Sequence, residues 1–147
     1  MKRRVVVTGV GVISPVGNTA NEFWDSLIHG RSGTGRVTQV DPDKFPSKVA
    51  AEVKNFDPSL WMNPKEKKKT DRFVQFAIAA SDMAVKDSKI DFSKEDPQVC
   101  GVFIGSGIGG LHTIEEQHQV MLDKGPERIS PFFIPMLIVN MAAGKVS

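Results

Sequence analysis

The chain has a single cysteine among its 147 residues, so it closes no intramolecular disulfide, and without a credible export signal that usage fits a reducing, cytoplasmic setting. It has little excess of either charge. Nineteen Lys and Arg against seventeen Asp and Glu leave +2, so net charge draws no polyanion and any basic patch must be regional. Long hydrophobic runs are missing as well, since nothing approaches the ~20 consecutive apolar residues a membrane helix needs. One stretch imitates an export segment: Lys2, Arg3 and Arg4 precede residues 5–21, which carry no charge. Gly9, Gly11, Pro15 and Gly17 interrupt it, and its three leading valines are β-branched, so a buried strand is the better reading. Internal repeats and low-complexity segments are also lacking. What remains, 40% hydrophobic and 24% charged, excludes collagen-like, disulfide-stapled and wholly disordered chains, and the size permits one domain.

Strand and helix signals alternate along the chain. Residues 4–13 read as a strand that stops at Ser14, Pro15 and Gly17. Thr19 as cap, Glu22 as capping-box partner and Gly30 as left-handed exit then bound a helix, with Phe23, Leu27 and Trp24 as its buried stripe. Residues 31–46 read as a loop and residues 49–53 as a short strand. Asn63-Pro64 opens the next helical stretch. Phe73, Phe76, Ala77, Ala80 and Ala84 follow at spacings of three and four, an apolar face small enough to lie against a sheet. Residues 99–104 form the continuous apolar run of a doubly covered parallel strand. A helix over 111–122 places Leu111, Ile114, His118 and Met121 on one face, and an apolar helix over 136–143 follows a proline-punctuated segment. The alternation predicts an α/β layer fold. Lys145, Val146 and Ser147 bring no terminal strand, polar tail or cap, so the chain is read as part of a longer one.

Four groups of residues carry candidate chemistry. Gly105, Gly107 and Gly110 satisfy a G-x-G-x-x-G spacing between a strand and a helix, which raises dinucleotide binding. Such a unit needs a second strand ending in an acidic residue, and here the helix runs into Asp123-Lys124-Gly125-Pro126. A tight turn that requires glycine is the commoner explanation. Within it Ile108, bulky and isolated among glycines, has the form of a movable apolar plug. Lys65, Lys68, Lys69 and Arg72 recur at i, i+3, i+4 and i+7, sharing one face if the segment is a single helix. Residues 65–72 hold five basic and two acidic side chains, suiting either a solvated surface or an acidic partner. Nucleic acid is disfavoured, because no aromatics interleave with the lysines.

Cys100 sits inside an apolar run where a buried structural thiol is ordinary, not at the exposed turn or helix start a nucleophile favours. His118 reads as a core or interface residue and His112 as surface, and no cluster has metal-ligand spacing. Phe132, Phe133 and Ile134, rigidly framed by Pro131 and Pro135, suit the core, a lipid-shaped pocket wall or a dimer surface.

Taken together, residues 3–9, Ser14-Pro15-Val16-Gly17, residues 105–110, residues 129–133 and Val139-Asn140-Met141 resemble the β-ketoacyl-[acyl-carrier-protein] synthases, most closely the bacterial type II. The resemblance runs through the whole chain but covers roughly the first third of a family subunit. It implies the first half of a thiolase-like layered α/β/α/β/α fold. Residues 1–147 would then be the amino-terminal part of the synthase domain, ahead of the catalytic cysteine. It implies fatty-acid elongation by decarboxylating Claisen condensation of an acyl-enzyme with malonyl-acyl carrier protein. The nucleophile and both catalytic histidines would lie outside this chain, so the chain alone would be inactive, and no cofactor or metal is called for. By the same resemblance Ile108 gates the acyl pocket, Phe133 and Ile134 form its wall and a dimer contact, and Lys65, Lys68 and Lys69 receive acyl carrier protein. The intact protein would be a homodimer that binds neither nucleic acid nor membrane. Met136-Leu137 departs from the small polar residues usual there, which bears on chain-length preference. Two alternatives remain: a catalytically silent chain-length-factor-like homologue and an NAD(P)-dependent reductase.

Overall fold

Local end signals account for the helices Ala20–Ile28 and Pro64–Lys67 in a computed structural model of the chain, which describes residues 3–147; Lys2, in the export-like start, lies outside them. The chain divides into two compact units, one comprising the residues up to Asp57 with Asp82–Lys89, the other Pro58–Ser81 with Ile90–Ser147.

In the first unit, helix α1 spans Ala20–Ile28. Its cap is Thr19, whose hydroxyl accepts the Glu22 N–H at 3.2 Å, while the Glu22 carboxylate accepts from Asn18 N–H at 2.8 Å, one residue before a capping box would place it. Gly30 provides the left-handed exit at φ +62°. The expected apolar stripe is not buried: Trp24 and Leu27 are exposed and Phe23 half-buried, and the buried residue is Ser26, whose hydroxyl donates to the Val16 carbonyl at 2.7 Å. The segment expected as a loop over 31–46 contains strand β1, Thr34–Arg36, and a 3-10 turn, Pro42–Lys44. Strand β2, Val49–Ala51, pairs antiparallel with β1, placing Gly35 opposite Ala50. The loop after β1 is clasped by Glu52, whose carboxylate accepts from Thr38 N–H and hydroxyl and from Gln39 N–H at 3.0, 2.7 and 3.2 Å. Those donors, the Thr38 N–H foremost, hold the Glu52 carboxyl below its ordinary value.

The second unit is built on four helices and the beginning of a fifth that it shares with the first unit. Helix α2, Pro64–Lys67, has a complete capping box between Asn63 and Glu66. Helix α3, Arg72–Ser88, begins in this unit and passes into the first from Asp82 onward. Helix α4 spans Leu111–Lys124, and the single apolar helix expected over 136–143 is two short ones, α5 (Phe133–Leu137) and α6 (Met141–Val146). Its core is small: Met62, Val74, Ala79 and Ala142 are buried together with Thr70, Asp71, Gln75 and Thr113.

Two strands expected from apolar runs are not formed. Neither residues 4–13 nor residues 99–104 enter a sheet ladder among the described residues, and Val5, Val7, Val99 and Phe103 are exposed. A β-branched run states a preference, but a strand exists only where a neighbour takes up its N–H and C=O groups. Cys100, expected in that buried run, is therefore exposed. The inward faces of the helices also differ from the apolar periodicity. On α3 the buried residues are Val74, Gln75 and Ala79, with Phe73 and Phe76 half-buried. On α4 Thr113 is buried and Ile114, Gln117 and Val120 half-buried, whereas Leu111, His118 and Met121 face solvent, so of the expected face only Ile114 turns inward and His118 is not a core residue. Among the described residues no helix is long and apolar enough to cross a membrane.

Candidate functional site

The second unit assembles the three segments singled out by sequence: the basic turn, the glycine loop and the aromatic block. The basic turn is not one continuous helix. Helix α2 ends at Lys67, Lys68 caps it, and α3 starts at Arg72, so the expected single face bearing Lys65, Lys68, Lys69 and Arg72 is replaced by a bend. The bend is held from beneath by buried polar groups. The Thr70 hydroxyl donates to the Glu66 carbonyl at 2.9 Å, and the Gln75 amide donates to the carbonyls of Thr70 and Lys67 at 3.0 and 3.3 Å. Those side chains satisfy carbonyls left over where α2 stops. Lys65, Lys68 and Lys69 are exposed, and among the described residues none pairs with a carboxylate. Glu66 is engaged in its capping box and Asp71 is turned inward, so the acids of this stretch do little to offset its outward positive charge. Lys69 Nζ stands 4.5 Å from the centroid of the Phe132 ring, a cation–π contact that joins the bend to the aromatic block.

The glycine loop packs against the other side of that block. Gly110 N–H donates to the Leu137 carbonyl at 3.0 Å, and Gly109 N–H donates to the Ser106 hydroxyl at 3.1 Å. Gly109 is left-handed at φ +81°, and a Cβ there would overlap the Leu137 carbonyl oxygen; at Gly110 a Cβ would stand 2.5 Å from the Met136 carbonyl and 2.9 Å from Asp71 Oδ2. The loop thus lies on the C-terminal end of α5, the helix that begins at Phe133. Phe133 is half-buried, while Ile134 and Ile108 are exposed to 55% and 61% and so are free to meet another molecule.

Asp71 ties the assembly together, and sequence reasoning passed over it. Its Oδ2 accepts from the Thr113 hydroxyl at 2.6 Å and from Thr113 N–H at 3.3 Å, and its Oδ1 accepts from Phe73 N–H at 3.3 Å. One turn along α4, Gln117 Oε1 accepts from Ser130 N–H at 2.7 Å, fixing the start of the aromatic block. The inward face of α4 mixes half-buried Ile114 and Val120 with Thr113 and Gln117, polar groups that each have a partner on another segment. The local hint was an Asp one residue before a helix start; the partner Thr113, 42 residues away, left no sign in the sequence.

This arrangement is unlike a dinucleotide loop. Among the described residues, 99–104 form no ladder ahead of the glycines, and α4 leads into a 3-10 turn, Pro126–Arg128, and then α5, in place of a second strand with an acidic end.

The family model described as the β-ketoacyl synthase N-terminal domain matches residues 2–147. A 3-oxoacyl-[acyl-carrier-protein] synthase 2 of Coxiella burnetii is 48% identical over 146 residues, 99% of this chain and 35% of that protein. Among solved structures, the ishigamide ketosynthase/chain length factor superposes with TM-score 0.84 at 30% identity, covering 99% of this chain and 36% of that one. A type II PKS acyl-carrier protein in complex with its ketosynthase bound to the hexaketide superposes with TM-score 0.81 at 28% identity, covering 100% and 40% respectively. The chain therefore spans 35% of the length of the curated relative and shares the thiolase-like layout of ketosynthases over its whole extent.

Proposed function

Because the chain belongs to the β-ketoacyl synthase family, matching its amino-terminal domain, we propose that it forms the acyl-pocket and carrier-docking part of a fatty-acid elongating synthase. In that reaction an acyl chain passes from acyl carrier protein to a cysteine thiolate as a thioester. Malonyl-carrier protein then loses carbon dioxide, and the carbanion attacks the thioester carbonyl, expelling the thiolate. The cysteine and the two supporting histidines belong to the part of a synthase beyond residues 1–147. Within this chain Ile108 gates the acyl pocket, and Phe133 and Ile134 line its wall and meet the second subunit of a homodimer. Lys65, Lys68 and Lys69 receive the acidic carrier protein, their charge speeding encounter and fixing orientation.

The observation that carries this reading is the hydrogen bond from Gly110 to Leu137 at 3.0 Å, which joins the loop bearing Ile108 to the helix bearing Phe133 and Ile134. Lys65, Lys68 and Lys69, exposed and among the described residues paired with no carboxylate, supply the surface an acidic partner needs, and a related ketosynthase is known in complex with its acyl-carrier protein. The exposed valines of residues 5–7 and the exposed Val99 and Phe103 then become contacts for further layers of the fold.

The test is condensation by the full-length protein supplied with acyl- and malonyl-carrier protein, followed as carbon dioxide release and β-ketoacyl product. Turnover is expected, and its absence overturns the enzyme reading. A silent chain-length-factor-like role is the second reading, favoured by the match to a ketosynthase/chain length factor pair. It predicts no turnover alone and turnover when an active partner subunit is added.

A further inference from the structure

We propose that Asp71, acting through Thr113, is the positioning residue of the glycine loop and thereby sets which acyl lengths Ile108 admits. The inference rests on the reading of Ile108 as a gate and adds to it the group that holds the gate in place.

The first N–H groups of a helix lack intrahelical acceptors and are usually capped by a side chain at the preceding position. The residue preceding α4 is Gly110, which has no side chain to offer. Close packing explains the glycine, because a Cβ there would stand 2.5 Å from the Met136 carbonyl and 2.9 Å from Asp71 Oδ2. The cap comes instead from Asp71, 42 residues earlier in sequence, which accepts both the N–H and the hydroxyl of Thr113. Both side chains are buried, Asp71 at 8% exposure and Thr113 at 2%, so water does not compete for these bonds. A carboxylate at this end of α4 also meets the positive end of the helix dipole.

The consequence is a loop with one clamped end and one open end. From Gly109 onward the backbone is fixed by Leu137 and by the Asp71–Thr113 pair, and Gly109 N–H also donates to the Ser106 hydroxyl within the loop itself. At Gly105 and Gly107, by contrast, an added Cβ would meet nothing within 4 Å among the described residues. Ile108 stands at the junction. Its resting position is thus referred to Asp71.

The test compares Thr113→Val, Thr113→Ser and Asp71→Asn with the unaltered full-length protein and with Ile108→Phe. Valine keeps the shape of Thr113 and removes its hydroxyl, serine keeps the hydroxyl, and asparagine leaves one acceptor oxygen where Asp71 uses two. Two readouts are taken: kcat/KM for a long against a short acyl primer, with kcat and KM separated, and hydrogen exchange at the Gly109 and Gly110 amides. For Thr113→Val and Asp71→Asn the long-to-short ratio should rise between about threefold and tenfold, through KM for the long primer, as expected if part of a charge-assisted hydrogen bond restrains the gate. Exchange at Gly109 and Gly110 should quicken about tenfold, and Thr113→Ser should restore both. The inference is overturned if Thr113→Val leaves the ratio unchanged, or if Thr113→Ser is as altered as valine, which would mean packing and not the hydrogen bond. If Ile108→Phe shifts the ratio and Thr113→Val does not, the positioning role fails while the gate survives. If neither shifts it, both fail. Should Asp71→Asn not fold, the two Thr113 variants decide the matter.

Discussion

Replacing Gly109 and Gly107 separately by alanine tests the two-ended loop, because the surroundings assign the same substitution opposite outcomes. At Gly109 the backbone is left-handed at φ +81°, which costs an L-residue about 1–2 kcal/mol. The new methyl would overlap the Leu137 carbonyl oxygen and stand 3.2 Å from Val139 Cγ1. The carbonyl can withdraw only by stretching the 3.0 Å bond it accepts from Gly110 N–H, and losing such a bond costs about 0.5–1.5 kcal/mol net. Together these give a destabilisation of about 1.5–3.5 kcal/mol, with the overlap itself adding to whatever the loop cannot relax. At Gly107 φ is not left-handed and no atom of the described residues lies within 4 Å of the new methyl. Alanine there should be neutral or stabilising by about 0.4–1 kcal/mol, through a less disordered unfolded chain. The assay is urea unfolding of both full-length variants, with equal denaturant slopes as the condition for comparing midpoints. Equal midpoint shifts, or a larger loss at Gly107, would refute the assignment of clamped and open ends.

Replacing Lys65, Lys68 and Lys69 together by glutamate should weaken acyl-carrier-protein binding by tenfold or more at low salt, on the order of 1 kcal/mol per rim charge, and less at high salt. Titration calorimetry at two ionic strengths measures it, and an unchanged affinity rejects the docking role. Ile108→Phe should impair long acyl primers several-fold more than short ones, and an equal loss for both removes the gate. Glu52 has a carboxyl pKa lowered by Thr38. Its stabilising contribution is therefore complete above the ordinary carboxylate value and lost as pH falls through the lowered one, so the Thr38 and Gln39 amide resonances should titrate with Glu52 on the acid side. Independent titrations would break that link. Residues 1–147 expressed alone expose Val5, Val7, Val99 and Phe103 and should self-associate at micromolar concentration; a monodisperse monomer with cooperative unfolding contradicts this.

The two lysine-and-glycine motifs were legible because each is made by neighbours in sequence. Asn63 and Pro64 identify the start of α2 by themselves, and Lys65, Lys68 and Lys69 come exposed with it. Where the helix stops was not legible: the charge periodicity runs on through Arg72, but Thr70 and Gln75 bend the chain by bonding the carbonyls of Glu66, Lys67 and Thr70. The inward face of α4 was misjudged for a related reason. Of the expected face only Ile114 is half-buried while Leu111, His118 and Met121 are exposed, and the face that packs also carries Val120, Thr113 and Gln117, the last two polar groups whose partners Asp71 and Ser130 lie on other segments.

By itself the sequence determined the features whose causes lie within a few residues: the caps at Thr19 and Asn63, the left-handed exit at Gly30, the helical identity of α1, α3 and α4, and the motifs shared with β-ketoacyl synthases. Only the tertiary structure decided which runs found a strand partner, which helix faces turned inward, and that Asp71 caps a helix 42 residues away. The reason is the range of the interactions. A cap or a turn satisfies its own backbone groups locally, whereas a ladder, a buried face and a remote hydrogen bond each need a second segment that no local pattern names.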